Sequence, residues 1–191
     1  MMPSLYVIGG ANGSGKTTVA LTVLPRFLQV FEYVNADAIA AGLSPLNPES
    51  MAMQSGWLMR ERLQVLAETG VDFAFETTLA ARTFAQFMSV CKTRGYRINL
   101  IYLWLPSADL AVERVARRVS SGGHHIPEEV VRRRYERGLK NLVELYLPIA
   151  DGWMIFDNSG ESLRLVAKRL IDESLTIYIP IIWERIYGEV E

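Results

Sequence analysis

Eight consecutive residues, Gly10-Ala11-Asn12-Gly13-Ser14-Gly15-Lys16-Thr17, follow the pattern G-x-x-x-x-G-K-[ST]. Glycines let successive backbone N–H groups converge on phosphate oxygens with no Cβ in the way. A helix starting near Lys16 adds the partial positive charge of its N-terminus. Lys16 is expected to reach the β- and γ-phosphates and the Thr17 hydroxyl to ligate Mg²⁺. Gly10, Asn12, Gly13, Ser14, Gly15 and Thr18 complete the nucleotide-binding stretch. The loop directly follows the apolar run Leu5–Gly9 and directly precedes a helical pattern, the context that the motif needs. It specifies nucleotide binding but not the reaction. No Asn-Lys-x-Asp element occurs to read guanine. Ser120-Ser121-Gly122-Gly123-His124 lacks the following glutamine, and the later apolar run ending in Asp-Glu, that a transporter-type ATPase would carry. These two absences favour an ATP-dependent kinase.

A kinase also needs a group that takes the proton of the acceptor hydroxyl. Val34-Asn35-Ala36-Asp37 ends an apolar run, and in an open α/β sheet ligands bind beyond the carboxyl ends of the strands. Asp37 is therefore read as the catalytic base, or as the N-cap of a helix over Ala38–Ala41, two compatible roles. Phe75-Glu76-Thr77-Thr78 ends another run. A charged Glu76 at a strand tip suggests a contact to Mg²⁺-bound water or substrate hydroxyls, the alternative being a surface strand end. Thr77 and Thr78 are expected to hydrogen-bond substrate or to cap the helix after Ala81.

Arginines cluster at Arg114, Arg117 and Arg118 and again at Arg132, Arg133, Arg134 and Arg137, flanking a loop with Gly122 and Gly123. The arrangement reads as a lid, approximately 119–134, that closes over phosphates and excludes water. Spacing pairs Glu113 with Arg117 and Glu129 with Arg133 on solvated faces. Arg114, Arg118 and Arg134 adjoin apolar stripes and are the better phosphate contacts. His124 and His125 have no Cys or acidic partners at ligand spacing, which argues against zinc.

The elements that must hold these residues are legible. Five short runs rich in β-branched and aromatic residues, Leu5–Gly9, Tyr33–Asn35, Phe73–Phe75, Asn99–Leu105 and Trp153–Phe156, alternate with helical patterns, as in a parallel sheet covered on both faces. Helices are expected over Lys16–Phe27, Pro48–Glu68 and Arg82–Arg94. Another runs from a Ser107 cap to Val119, and one starts at Pro127 with Val131, Tyr135, Leu139, Leu142 and Tyr146 on its apolar face. The stretch after Ser162 reads as helical in its first half, and Thr176–Trp183 is ambiguous because Pro180 interrupts a β-rich run.

With 191 residues and half of them hydrophobic, the chain can bury a sizeable core and is read as one domain, 1–191. The net charge of −1 disfavours a general nucleic-acid binder. Cys91, the single cysteine, permits no intrachain disulfide and reads as a buried thiol. Met1–Gly10 reads as a strand and not a signal peptide. The apolar stretch Ile98–Pro106 is too short to span a bilayer. A cytoplasmic, membrane-free protein is expected.

Taken together, Gly9-Gly10-Ala11-Asn12-Gly13-Ser14-Gly15-Lys16-Thr17-Thr18, Tyr33-Val34-Asn35-Ala36-Asp37, Leu43-Ser44-Pro45, Phe73-Ala74-Phe75-Glu76-Thr77-Thr78, Gly122-Gly123-His124 with Ile126-Pro127, Arg134-Tyr135 and Phe156-Asp157-Asn158-Ser159 resemble the zeta-toxin-like P-loop kinases. The resemblance runs to about Ser159. It implies Lys16 and Thr17 at the phosphate loop, Asp37 as base, Glu76 and Thr78 on the substrate side, Arg118 and Arg134 as phosphate clamps and Asn158 at the adenine pocket. Members phosphorylate small hydroxyl compounds, the toxins proper UDP-N-acetylglucosamine, and an antitoxin protein is a partner the resemblance allows. Where the toxins carry a substrate-binding glutamate, this chain reads Trp57-Leu58-Met59-Arg60; Arg60 suits a more anionic acceptor.

The expected fold is a three-layer α/β/α P-loop NTPase with a five-stranded parallel sheet in order 2-3-1-4-5 and a helical lid. The expected function is transfer of the ATP γ-phosphate to a small-molecule hydroxyl, with Mg²⁺. Two alternatives stay open: a nucleotide-gated ATPase module that signals to a protein partner, and a polynucleotide 5′-kinase, which the neutral charge weakens. The enzyme reading requires an open pocket lined by Asp37, Glu76 and Arg60; the module reading requires an exposed apolar patch, for instance on Thr176–Trp183.

Overall fold

A computed structural model of the chain describes residues 2–120, 123 and 125–188. Strands β1 (Ser4–Gly10), β2 (Glu32–Val34), β3 (Phe73–Thr77), β4 (Arg97–Trp104), β5 (Gly152–Asp157), β6 (Arg164–Arg169) and β7 (Thr176–Ile177) form one sheet in the order β2-β3-β1-β4-β5-β6-β7. The first five are mutually parallel and stand in the expected order. The sheet is nevertheless seven-stranded and mixed, because β6 and β7 add on antiparallel. The helix expected after Ser162 is thus a strand. Its apolar run is too short for periodicity to separate helix from strand. Pairing with β5 decides the matter, burying Val166 and Ala167.

Eight helices are described: α1 (Lys16–Val23), α2 (Ala36–Leu43), α3 (Ala52–Thr69), α4 (Thr83–Thr93), α5 (Ala108–Ser120), α6 (Glu128–Asn141), α7 (Leu147–Ile149) and α8 (Pro180–Gly188). The first ends four residues before the expected Phe27. Pro25 has no N–H to continue the ladder, and the chain widens into a π-turn over Leu24–Leu28. The ambiguous segment divides at its proline: β7 precedes it and Pro180 opens α8, in the first turn, where its missing donor costs nothing. Ser107 caps α5 as expected, its Oγ accepting from the Leu110 N–H at 3.2 Å.

Alternate residues of the central strands point to opposite faces. Ile8, Ala74, Ile101 and Leu103 pack with Ala20 and Leu24 on the α1 side. Leu5, Val7, Phe73, Phe75 and Leu100 pack beneath α3, α4 and α6 on the other, with Met59, Leu63, Met88 and Leu139. Helices therefore cover both faces, and the carboxyl ends of β1, β2 and β3 open on one edge of the sandwich. The predicted apolar face is buried throughout: Val131, Tyr135 and Leu139 on α6, and Leu142 and Tyr146 on the π-helical turn Leu142–Tyr146 that continues it. The described part of the expected lid is the end of α5, the start of α6 and residues 123 and 125–127; Ser121, Gly122 and His124 lie outside the described residues. No described helix is long and apolar enough to cross a membrane.

Candidate functional site

The Gly10–Thr17 loop joins the carboxyl end of β1 to the first turn of α1. Gly10 (φ +148°) cannot be replaced without strain, since a Cβ there would stand 2.5 Å from Ser14 Oγ and 2.6 Å from the Leu103 carbonyl. Gly15 (φ +87°) lies beneath Asn158, whose amide Nδ2 donates to the Ser14 carbonyl at 2.8 Å. Lys16 is buried and its ammonium donates to the Ala11 carbonyl at 2.8 Å, spanning the loop. Burial pulls the Lys16 pKa below the ordinary lysine range. The carboxylates of Glu76 and Asp37 oppose that pull, while the cations Arg118 and Arg134 reinforce it.

The β2–β3–β1 register places the acidic residues. Val34 pairs with Phe75 and Ile8 with Glu76, so Glu76 emerges beside the loop, one step beyond the end of β2. Its carboxylate accepts from Thr17 Oγ1 at 2.9 and 3.1 Å and from Tyr33 Oη at 2.5 Å. Burial, and then the Glu76 charge, push the Tyr33 phenol far above its ordinary pKa, so it stays a donor. Asn35 Nδ2 donates to the Tyr33 oxygen at 3.3 Å. Asn35 Oδ1 accepts from the N–H groups of Asp37 (2.8 Å) and Ala38 (3.1 Å). Asn35, not Asp37, is therefore the N-cap of α2. This corrects the capping alternative and leaves the exposed Asp37 carboxylate in the first turn, not engaged as a cap.

Two clefts meet here. A phosphate-side cleft of about 260 Å³ is lined by Asn12, Gly13, Gly15, Lys16, Thr17, Thr18, Arg114 and Arg118, with Asp37 and Glu76. A larger one of about 500 Å³ extends past Asp37 and Glu76 to Arg60, Thr77, Thr78 and the α6 arginines Arg133, Arg134 and Arg137. Asn12, Lys16, Asp37 and Glu76 belong to both walls. Arg134 is half-buried; burial lowers its pKa and the Asp37 carboxylate raises it. Its guanidinium reaches Asn12 Oδ1 at 3.5 Å.

The α6 side of the larger cleft is clamped onto the loop after β3. Thr77 Oγ1 accepts from the Leu79 N–H at 3.1 Å, turning the chain so that fully buried Leu79 adopts a left-handed conformation (φ +61°) rare for its type. Asn141 Nδ2 donates to the Leu79 carbonyl at 2.8 Å and the Tyr146 hydroxyl donates to the Ala81 carbonyl. Thr77 thus spends its oxygen on the turn, and neither it nor Thr78 is an N-cap of α4.

Arg114 and Asn158 take structural contacts. The Arg114 guanidinium donates to the carbonyls of Asn158 (2.7 Å) and Ser159 (3.0 Å), although its side chain lines the phosphate cleft. Asn158 lines neither cleft and braces the phosphate loop instead. The same turn is held by buried Asp157, which pairs with Arg164 of β6 and accepts from the Ser159 N–H. Of the predicted surface pairs, Glu113–Arg117 forms. The second, Glu129–Arg133, is not among the ion pairs of the described residues; the i,i+4 pair there is Glu128–Arg132, and Arg132 also reaches Asp109 of α5. Sequence reasoning missed Tyr33. The available signal was its position two residues before Asn35 on a strand, which puts both on one face.

The Zeta toxin family model matches residues 1–168. An uncharacterized protein of Haemophilus influenzae is 31% identical over 128 residues, covering 66% of this chain and 88% of the relative. Among solved structures, the AvrRxo1-ORF1:AvrRxo1-ORF2 complex superposes with a TM-score of 0.78 at 16% identity. That match covers 97% of this chain and 63% of the other, so this chain spans under two thirds of the neighbour's length. The same complex has also been solved with ATP. The PezAT chromosomal toxin-antitoxin system of Streptococcus pneumoniae gives a TM-score of 0.68 at 16% identity, over 98% of this chain and 79% of the other.

Proposed function

We propose, from the premise that this chain belongs to the zeta toxin family, that it is a kinase transferring the γ-phosphate of ATP to a hydroxyl of a small, anionic acceptor. One observation carries the reading: Asn12, Lys16, Asp37 and Glu76 stand on the shared wall of a cleft lined by the Gly10–Thr17 loop and a larger polar cleft. A phosphoryl group held in the first would face an acceptor held in the second.

The Asp37 carboxylate takes the proton of the acceptor hydroxyl, and the freed oxygen bonds to the γ-phosphorus as the bond to the β-phosphate oxygen breaks, leaving ADP. Lys16, with Arg118 and Arg134 on either side, stabilises the charge spread over the transferred oxygens. Thr17 and Glu76 suit Mg²⁺. Their oxygens lie within 3.1 Å of each other beside the phosphate loop, and a phosphate-bound Mg²⁺ takes few protein oxygens. Thr17 Oγ1 would be its ligand and Glu76 would hold that hydroxyl or a metal-bound water. Bound there, the ion would neutralise charge on the β- and γ-phosphates. Arg60, Arg133, Arg134 and Arg137 around the larger cleft favour an anionic acceptor. The fold, the family and the AvrRxo1 complex solved with ATP support the nucleotide assignment.

The competing module reading, and an antitoxin partner, draw on the toxin-antitoxin neighbours and on Ile177, Tyr178 and Ile181, exposed at the β7–α8 junction. ATP consumption against a panel of nucleotide sugars, sugars and nucleosides, with products identified by mass, separates the two. A phosphorylated acceptor supports the kinase; slow hydrolysis with no acceptor product across the panel sinks it.

A further inference from the structure

The residues that grip the metal-bound nucleotide and the residue that deprotonates the acceptor belong to one hydrogen-bonded chain. Thr17 Oγ1 donates to Glu76, Tyr33 Oη donates to the same carboxylate at 2.5 Å, Asn35 donates to Tyr33, and Asn35 also caps the turn that carries Asp37. Neither phosphate-loop nor kinase chemistry requires Tyr33 in this path. It sits on β2, paired with Ala74 and not with Glu76, so nothing in the ladder obliges its hydroxyl to meet that carboxylate.

We infer that Tyr33 is a positioning residue for the Mg²⁺ side of the site: its hydroxyl holds one oxygen of Glu76 so that the carboxylate is aimed at Thr17 before the metal arrives. The inference rests on the kinase reading above. A free glutamate on a strand tip samples several rotamers, and each would have to be given up on metal binding. With Tyr33 and Thr17 both donating, the Glu76 carboxylate is an acceptor held by two partners. The Thr17 hydroxyl can donate its proton to Glu76 while its lone pairs face the metal, so the arrangement needs no rearrangement when Mg²⁺ and ATP enter. The Asn35 contact gives Tyr33 a second attachment, to the α2 turn, so the metal side and Asp37 are oriented by the same side chain.

The test is Tyr33→Phe, which keeps the ring and removes the hydroxyl. ATP affinity is measured by calorimetry in EDTA and across a Mg²⁺ titration. Loss of an outer-shell partner typically lowers metal affinity about 10- to 100-fold. The expected result is a Mg²⁺ midpoint raised at least about tenfold, with ATP affinity in EDTA unchanged. Tyr33→His, which returns an N–H donor, should recover part of the midpoint, and Tyr33→Leu, which likewise lacks a donor, replaces the Phe variant should that one not fold. In a Glu76→Gln background, Tyr33→Phe should add little, because Tyr33 acts through that carboxylate. An unchanged midpoint, an equal loss of affinity with and without Mg²⁺, or an undiminished effect in the Glu76→Gln background overturns the assignment. Wild-type protein that binds no ATP in either condition sinks the kinase reading instead, so the two failures are distinguishable.

Discussion

Gly138 of α6 and Thr78 of the loop after β3 touch backbone to backbone: a Cβ at Gly138 would stand 2.3 Å from the Thr78 carbonyl oxygen. The helix that carries Arg134 and the loop that follows Glu76 are therefore in tight contact, and both line the larger cleft. Gly138→Ala gains helix propensity but must push the two apart. We expect a net destabilisation of about 1–3 kcal/mol, as for overpacking elsewhere. Turnover should fall while ATP affinity is kept. A denaturant melt and paired kinetics check both, and a variant as stable and active as wild type would mean that the loop yields freely.

Asp37→Asn retains shape but cannot accept a proton at neutral pH. Turnover with the best acceptor should fall about 10²–10⁴-fold, roughly 3–5 kcal/mol of barrier. ATP binding and the melting temperature should hold, since Asn35 and not Asp37 caps α2. Near wild-type turnover would remove Asp37 from the chemistry and move the search for a base to Glu76.

Arg118 and Arg134 act electrostatically on Lys16, whereas Arg117 pairs with Glu113 on an exposed face. Arg118→Ala and Arg134→Ala should each lower turnover by about a hundredfold or more; Arg117→Ala should change it by less than about twofold. Equal small effects at all three positions would make the clusters solvated faces.

Arg60 lines the larger cleft and forms no ion pair among the described residues. Arg60→Glu places repulsion where attraction stood, so the acceptor profile should turn away from anionic compounds while ATP affinity holds. The readout is relative kcat/KM across charged and neutral acceptors, and an unaltered ranking would place Arg60 outside acceptor recognition.

Burial lowers the Lys16 pKa, and bound phosphate raises it again. Above the free-state pKa, ATP binding must then take up a proton, and affinity must fall as pH rises through a window that starts below the ordinary lysine value of about 10.4. Calorimetry in buffers of different ionisation enthalpy measures the uptake, which should vanish in Lys16→Ala. Absence of uptake in the wild type at alkaline pH would mean that Lys16 is already protonated in the free protein.

The phosphate loop and the five parallel strands were readable because each rests on local pattern, a glycine-lysine spacing, apolar runs and helix caps; the strand order came with the P-loop fold that the motif and the resemblance imply. Asp37 and Glu76 were found because they end strands, and Arg60 because it falls where the family resemblance places a glutamate; the larger cleft does bring the three together. Partnerships were harder to read. Asn158 braces Ser14, Arg114 braces Asn158, and Arg132 pairs with Glu128 and Asp109, all choices made by side chains that meet only after folding. The β6 strand escaped for a related reason: Leu165–Ala167 has no distinguishing period, and its conformation comes from pairing with β5.

The two rims of the sheet are both blunt. The outer strand on one side, β2, is three residues long, and on the other, β7, two. Unpaired strand edges are where foreign chains add by backbone pairing, and short ones offer too few donors and acceptors in a row to template that growth. A protein docking on this domain therefore meets mainly helix surfaces and loop side chains, and among the described residues self-association by strand addition, the first step toward fibrous aggregation, finds no long outer strand to start from.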